Sequence, residues 1–419
     1  DTLLAEGDYA SHWVAYGLAI NTLYGRGRYA AARRLLEHYD EIAEAHMGPD
    51  WPWSKAQTLC NLGRISGALG EYESARELLI QGLDLLRPLG DQVGVMLYLH
   101  TLGGVTRILG HSAEARTLFQ EGLALAETHG YAMGEVLALN DLGDLEFAEG
   151  RYEAAESRFE DSLARATEIG DRRGRALALT SLGRVATALG QYEQAIQLYR
   201  QGLTITERAG NRRGLALTLN RLSQAYRLLG DVERAVGLCE RSLRICQELG
   251  YRKGETLARI SCGEAALAHG DISAAADAFR AALAASEEVG FVSGIVRSLV
   301  GLGLSGLEAG EGPDAAAHLR RALDVATKSN LPRAQLHALG PLGQALVICG
   351  KPEEGVPLLA LAARHPAAEA QTRQWASAAL DDLAGHPKLA KLLGLDESMS
   401  LGEAAASQTT ADDQPKGKG

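Results

Sequence analysis

The glycines at 301, 303 and 306 have the Gly-x-Gly-x-x-Gly spacing that binds dinucleotides in some enzymes. That motif needs a preceding strand and a βαβ unit, so that a helix N-terminus meets the pyrophosphate. The residues around Gly301 instead follow a helical pattern of apolar positions. Walker A, HExxH and Gly-x-Ser-x-Gly motifs are absent from the sequence. We therefore expect no cofactor and a chain that is not an enzyme.

The five cysteines and eleven histidines are the remaining side chains that could bind a metal or undergo redox chemistry. The cysteine spacings match no zinc motif, and the histidines form no cluster with carboxylates at ligand spacing. Cys239 and Cys246 lie seven residues apart on one face of a predicted helix, where burial in the core is favoured over redox chemistry. No metal site is predicted, and the odd number of cysteines favours a reducing, cytoplasmic setting.

Composition favours an all-α protein. Ala and Leu dominate a chain that is 46% hydrophobic but only 5% aromatic, and no segment is rich in the β-branched residues of strands. The net charge of −11 argues against nucleic-acid binding, which needs a concentrated positive face. No apolar run is long enough to span a membrane. The preference for Arg over Lys, with abundant Ala and Gly, is typical of a GC-rich, bacterial genome.

A repeat of 40 residues organises the chain. Glycines stand at 70, 110, 150, 190, 230, 270, 310 and 350, and a second series stands at 90, 130, 170, 210, 250 and 290. Two glycine series per period predict two helices per repeat, each ended by a glycine. A third glycine column lies inside the first helix, at 63, 103, 143, 183, 263, 303 and 343, and alanines align in the second helix from Ala75 to Ala315. Small residues in register allow two helix axes to approach closely.

These columns resemble the tetratricopeptide repeat (TPR) family, as in Leu182-Gly183, Tyr192, Ala195, Tyr199 and Leu203. The resemblance implies a right-handed α-solenoid, a superhelix of about nine helical hairpins, although the usual period is about 34 residues. The longer repeat, with Gly-Asp-x-x-Gly loops such as 170–174, is similar to the sensor arm of bacterial STAND-type signal-transduction ATPases. It is also similar to kinesin light chains and the LGN/Pins adaptors.

The domain boundaries follow from where the repeat begins and ends. Residues 1–12 are predicted to end an upstream segment. The sequence starts without Met and within a repeat-like stretch, so we expect it to be the C-terminal portion of a longer protein. Residues 13–365 are assigned to the solenoid and 366–395 to a helix that caps its apolar end. Residues 396–419, rich in Ser, Thr, Asp, Gly and Lys, are predicted to be disordered.

In the TPR family the first helix of each hairpin lines the concave face and contacts the ligand. The resemblance places ligand contacts three and two residues before the inner glycine column and one, four and five residues after it. The predicted ligand-binding residues in this sequence are Arg64, His100, Arg107, Asn140, Asp144, Phe147, Arg184, Asn220, Arg221, Gln224, Arg227 and Glu264. Asn and Arg can hold an extended peptide by its amides and carboxylates, whereas an ordinary solvated face is the alternative.

A second basic stripe recurs in the loops before the first helices, at 172–173, 212–213 and 252–253. A solvated ridge is favoured there over docking of an acidic partner. The function predicted from the resemblance is a protein- or peptide-binding scaffold, the C-terminal sensor or regulatory domain of a bacterial multidomain signalling protein with an NTPase or effector upstream. A stand-alone adaptor that bridges two proteins is the alternative, and an enzyme is the most distant one.

Overall fold

The computed structural model describes residues 9–25, 28–46, 51–329, 331–384 and 400–409. These residues form α-helices joined by short turns, with no strand among them, and the helices pack as consecutive pairs. The predicted all-α solenoid of nine TPR-like hairpins is therefore confirmed. The hairpins are α1 (Tyr9–Gly25) with α2 (Tyr29–His46), α3 (Trp51–Leu69) with α4 (Tyr72–Leu86), α5 (Gln92–Ile108) with α6 (Ser112–Thr128), α7 (Ala132–Ala148) with α8 (Tyr152–Glu168), α9 (Arg172–Leu189) with α10 (Tyr192–Arg208), α11 (Arg212–Leu229) with α12 (Val232–Leu249), α13 (Arg252–His269) with α14 (Ile272–Glu288), α15 (Val292–Glu308) with α16 (Gly312–Lys328) and α17 (Pro332–Ile348) with α18 (Pro352–Arg364).

The chain divides into two compact units. Unit 1 comprises residues 1–145, 158–178 and 246–252, and unit 2 comprises 146–157, 179–245 and 253–419. Within the described parts of both units, no helix is long and apolar enough to cross a membrane. No group of three or more described His, Cys, Asp and Glu side chains is placed to hold a metal ion.

The periodic glycines end the helices as predicted. All fourteen glycines of the two loop series have positive φ, the left-handed conformation that favours glycine. At the end of α11, Gly230 has a φ of 94°, and its N–H and that of Asp231 donate to the carbonyls of Arg227 and Tyr226, which satisfies the last turn. Before the same helix, the Asn211 side chain accepts from the Gly214 N–H at 3.0 Å as an N-cap.

The inner glycine column makes room for an aromatic or leucine side chain of the paired helix. In the hairpin of α9 and α10, Tyr199 is 1% exposed and its ring lies against Gly183. A Cβ added to Gly183 would lie 2.6 Å from Tyr199 Cε1. Ala195, one turn before Tyr199, is fully buried. The large and small columns therefore interlock across each hairpin.

We expect Gly183→Ala to lower the free energy of unfolding by about 1–3 kcal/mol, because overpacking costs more than the roughly 1 kcal/mol that Ala gains over Gly in a helix. Gly237, inside α12, is the matched control, because a Cβ there meets nothing within 4 Å. Gly237→Ala should stabilise the protein by about 0.5–1 kcal/mol. Urea denaturation of both variants measures the difference. Two changes of the same sign would contradict the packing role of Gly183.

The C-terminal residues add two helices to the hairpins. Helix α19 (Ala370–Ala384) follows the turn at 366–369 and packs on α18, where Trp375 and the buried Ala376 contact Leu359 and Ala362. Helix α20 (Leu401–Thr409) lies in the segment predicted to be disordered. Ser400 and Glu403 form a reciprocal capping box at its start, and Ala404 is fully buried against α16 and α17.

The polar composition of the tail hid these local signals, so the prediction of disorder is wrong for residues 400–409. Residues 1–8, 385–399 and 410–419 lie outside the described residues, and the assignments made there stay predictions.

Candidate functional site

The first helices of the hairpins in unit 2 bring a group of charged side chains together. Five arginines form what we call the inner arginine cluster: Arg184 on α9, Arg221 and Arg227 on α11, Arg297 on α15 and Arg333 on α17. Three of them were predicted as ligand-binding residues, and Arg297 and Arg333 were not. The cluster is placed by one face of each first helix, since residues spaced by three or four positions lie on the same side of a helix.

Phe147, at the end of α7, holds two of these arginines in place. The guanidinium of Arg184 lies 4.4 Å and that of Arg333 lies 4.1 Å from the centre of the Phe147 ring. The ring itself is buried. A guanidinium is attracted to the face of an aromatic ring, and this contact leaves its positive charge uncompensated. Phe147 therefore positions Arg184 and Arg333 beside each other without neutralising either.

Glu264 on α13 is the carboxylate at the centre of the cluster. Its oxygens lie 2.7 Å from Arg297 and 3.3 Å from Arg227, which come from the next and the previous first helix. Burial alone would raise the pKa of Glu264, but the attraction of Arg297 and Arg227 outweighs it and lowers this pKa to about 2. Glu264 is thus ionised at neutral pH and joins three neighbouring hairpins.

The positive charges of the cluster affect the groups around Glu264. Burial, then Arg297 and other cations nearby, lower the pKa of His337 on α17 to about 4, so this imidazole is neutral at pH 7. Burial and Arg184, with further contributions from Arg297 and Arg333, lower the pKa of Arg221 to about 10. The guanidinium of Arg221 therefore lies in an environment that disfavours its own charge.

The turn after α18 crosses to the hairpins of α8, α9 and α11. We call residues 365–371 the returning segment. The Tyr152 hydroxyl donates to the Ala367 carbonyl at 2.9 Å. Ala367 also lies close to Gly150, since a Cβ added to Gly150 would be 2.3 Å from the Cβ of Ala367. A carboxylate of the returning segment, Glu369, pairs with Arg333.

Arg227 makes a further contact with the returning segment, a long hydrogen bond of 3.5 Å to Gln371 Oε1. A Cβ added to Gly190, at the end of α9, would lie 3.0 Å from that of Ala370. The chain's own C-terminal residues therefore already contact part of the predicted binding surface.

Unit 1 contains a smaller charged group around His100 on α5. Its Nδ1 pairs with Asp141 on α7, and the attraction of Asp141 raises the pKa of His100. Asp144, Arg107 and Arg173 lie near enough to affect the charges of this pair. A shallow cleft lies beside it, lined in part by Met96 and Gly134.

The predicted residue Arg64 lies at the start of unit 1. It donates to Asn21 at 3.0 Å and to Asn61 at 2.9 Å, and it stacks on Tyr24 at 4.7 Å. Arg64 thus joins the first two hairpins. Arg259, which departs from a leucine column, pairs with the buried Glu255 one turn earlier at 2.8 Å.

Two predicted residues are buried inside the hairpins. Asn140 is 4% exposed and donates to Ser162 and to the Val136 carbonyl, and Asn220 is 3% exposed. A ligand could reach these amides only by displacing their neighbours, so the surface proposed below omits them. Gln224 is half-buried and occupies the same position in its helix as Arg184 and Glu264.

Arg297, His337 and Arg333 were not predicted, because the ligand positions of the TPR family begin three residues before the glycine column. Arg297 and His337 lie six residues before it, where five earlier repeats have leucine, and Arg333 lies ten residues before it. Steps of four and three residues continue one helical face. Arg173 lies at the position that corresponds to Arg333, ten residues before the glycine column of its own helix. It belongs to one of the predicted basic loop pairs and lies near His100. The second residue of that pair therefore belongs to the same face as the predicted ligand-binding residues.

Several solved structures are similar to this chain. A Rap protein complexed with Competence and Sporulation Factor is 12% identical, with a TM-score of 0.57 over 91% of this chain and 99% of that one. Aspartyl phosphate phosphatase F from Bacillus subtilis is 13% identical, with a TM-score of 0.54 over 77% of this chain and 89% of that one. A STAND protein with a tetratricopeptide repeat sensor, from Pyrococcus horikoshii, is 15% identical, with a TM-score of 0.49 over 81% and 52%.

A search of curated proteins gave no significant match. Models of the tetratricopeptide repeat match residues 13–38, 54–128, 135–208, 214–288 and 263–330, which together make up most of the chain. The matched segments coincide with the hairpins and their glycine and alanine columns. The chain therefore belongs to the tetratricopeptide repeat family, whose repeats form scaffolds that bind proteins and peptides.

Proposed function

We propose that this chain is a regulatory module that binds a peptide or an extended protein segment on the inner surface of unit 2. We define that surface by the inner arginine cluster with Phe147, Gln224 and Glu264. The observation that carries the proposal is this convergence of charged side chains from five hairpins, which the packing of each hairpin does not require. The module binds and does not catalyse.

The wider role that we infer is that of a C-terminal sensor domain in a cytoplasmic, bacterial multidomain signalling protein. Support comes from the fold, which is similar to that of a Rap protein complexed with Competence and Sporulation Factor. A ligand held by several first helices would bias how neighbouring hairpins pack, and such a shift could pass to an upstream effector domain. The position of the ligand on adjacent repeats thus suits a sensor.

A stand-alone adaptor is the alternative, and the His100 group favours it. Each unit carries its own charged cluster, so two different partners could be bound by one chain. The complete open reading frame separates the two roles. An upstream nucleotide-binding domain would support the sensor, and a reading frame limited to the repeats would support the adaptor.

The test of the inner surface is site-specific photo-crosslinking in the native host. A benzoylphenylalanine at Gln224 lies on the proposed surface, and one at the exposed Gln201, on α10, is the matched control. We expect a defined peptide or protein to be captured from position 224 and not from position 201. Capture from position 201 alone, or no capture from position 224, would overturn the proposal.

A further inference from the structure

Two thiols face each other where the hairpin of α11 and α12 packs on the hairpin of α13 and α14. The Sγ of Cys262 on α13 lies 2.9 Å from the Sγ of Cys239 on α12, and the Cys262 thiol donates a hydrogen bond to it. Both residues belong to unit 2, and neither is part of a disulfide. The sulfurs of a disulfide lie about 2.0 Å apart, so a small shift of the side chains would bring these two within bonding distance.

The corresponding contact in other hairpins is made by two large apolar side chains. An aromatic residue or leucine of one second helix packs with a leucine of the next first helix. The pairs are Leu79 with Leu102, Phe119 with Leu142, Tyr199 with Leu222, Phe279 with Leu302 and Leu319 with Leu342. Cys239 and Cys262 occupy both positions of this contact between α12 and α13. Both partners of one contact have therefore become thiols, although larger apolar side chains fill the same place elsewhere.

The preceding helix α11 is adjusted to the smaller side chain of Cys239. In α9 the equivalent position is Gly183, where an added Cβ would lie 2.6 Å from the Tyr199 ring. Ser223 takes this position in α11, is 1% exposed, and donates to the Ala235 carbonyl at 2.7 Å. It fills part of the space of the absent ring and brings a hydroxyl beside the Cys239 thiol. Three positions around one contact thus depart together from the repeat pattern.

The two thiols differ in acidity and in exposure. The hydrogen bond donated by Cys262 outweighs burial and lowers the pKa of Cys239, and the Ser223 hydroxyl contributes in the same direction. The same bond and burial raise the pKa of Cys262. When protonated, Cys239 donates to the Val236 carbonyl at 3.1 Å. Cys239 is 1% exposed, whereas Cys262 is partly accessible to solvent. Cys239 is therefore the thiol that ionises more readily and is the better nucleophile, although only a small reagent can reach it.

We propose that Cys239 and Cys262 form a reversible disulfide that fastens the hairpin of α11 and α12 to that of α13 and α14. The oxidant is hydrogen peroxide, which is small enough for a buried site, and a dithiol reductant reverses the reaction. The inference goes beyond the proposed function, because it concerns the redox state of the scaffold and does not depend on the peptide-binding surface. In a reducing setting the bond forms under oxidative conditions.

The reaction proceeds in two steps. The Cys239 thiolate attacks one oxygen of the peroxide, the O–O bond breaks, and the other oxygen leaves as water after taking up a proton. The Cys262 sulfur then attacks the sulfur of the resulting sulfenic acid, the S–O bond breaks, and the Cys262 proton leaves with the hydroxyl as a second water. Two thiols and one peroxide give one disulfide and two waters, since the sulfurs lose the two electrons that the peroxide gains.

The first experiment treats the reduced full chain with hydrogen peroxide, alkylates the remaining thiols and maps the tryptic peptides by mass spectrometry. The relevant peptides are 235–241 with Cys239, 260–280 with Cys262 and 245–252 with Cys246. We expect 235–241 to be linked to 260–280 within the monomeric chain, and dithiothreitol should release both peptides. The exposed Cys349 reports how fast an accessible thiol is oxidised in the same sample.

Two results of this mapping would overturn the inference. One is recovery of 235–241 and 260–280 as separate alkylated peptides when Cys349 is already oxidised. The other is a link from 235–241 to 245–252, which would make Cys246 the partner of Cys239.

Cys262→Ser is the decisive variant, and Cys246→Ser, which removes a buried thiol of α12, is the matched control. Peroxide should raise the melting temperature of the wild type and of Cys246→Ser by a few degrees, because a crosslink restricts the unfolded chain. It should leave the melting temperature of Cys262→Ser unchanged. A fall in the wild type would contradict a bond that fastens the hairpins, and an equal rise in Cys262→Ser would assign the effect to another thiol.

Discussion

Replacing Glu264 with alanine is expected to lower the free energy of unfolding by about 3–5 kcal/mol, as when one partner of a buried ion pair is removed. The change leaves Arg227 and Arg297 without their shared carboxylate, and their side chains are only 12% and 19% exposed. Arg333, another arginine of the inner cluster, would keep its own pairing with Glu369. Urea denaturation at pH 7 measures the loss.

Acid titration gives a second measure of the same contact. The folded-state pKa of Glu264, about 2, lies below the value of roughly 4.3 for an unfolded Glu. The stability that ionised Glu264 gives the folded protein is therefore complete above a pH of roughly 4.3. It is lost as the pH falls through the folded pKa, and the Glu264→Ala variant should lack this part of the pH dependence. Glu193→Ala, at an exposed position of α10, is the control. Equal stability of the two variants would contradict a central role for Glu264.

Gly150→Ala is expected to displace the returning segment from unit 2. The new Cβ would meet Ala367 at 2.3 Å from its Cβ and 2.6 Å from its Cα, and Gly150 also has a φ of 77°. The left-handed backbone costs an alanine about 1–2 kcal/mol, and the steric clash adds about 1–3 kcal/mol. Gly230→Ala separates these costs, since Gly230 ends the corresponding helix with positive φ but has nothing within 4 Å of its Cβ position.

Limited trypsin digestion reports the displacement directly. Arg364 and Arg373 flank the returning segment, so cleavage there should accelerate in Gly150→Ala and stay at the wild-type rate in Gly230→Ala. Melting temperatures give the accompanying stabilities. Similar digestion of both variants would mean that the contact of Ala367 with Gly150 does not hold the returning segment in place.

The hairpins could be predicted because each is specified locally. Glycine at a left-handed helix end, alanine where helices touch and an aromatic ring against glycine repeat with one period, as at Gly183, Ala195 and Tyr199. Every such signal involves residues of the same or the next hairpin. Local signals of this kind can be recognised in the sequence without knowledge of the tertiary structure.

The charged site could be predicted only in part, because it depends on which distant hairpins meet. The columns indicated that Arg184, Arg221 and Arg227 share a face. They could not indicate that Arg333 of α17 would reach Phe147 of α7, since that depends on the small rotation accumulated from repeat to repeat. Asn140 failed as a surface residue for the opposite reason, since a small polar side chain can be satisfied inside one hairpin by Ser162.

The hydrogen bond from Tyr152 to Ala367 joins residues 215 positions apart. Repeat arrays with contacts between neighbours alone can lose their terminal repeats one at a time, with stability close to a sum over repeats. A bond of this span couples the turn after α18 to Tyr152 at the start of α8, so fraying of the last hairpin also releases contacts made in the middle of the sequence. The entropy cost of closing the loop between Tyr152 and Ala367 rises only slowly with loop length. Because this distant contact forms late, it favours slow folding and concerted unfolding of unit 2.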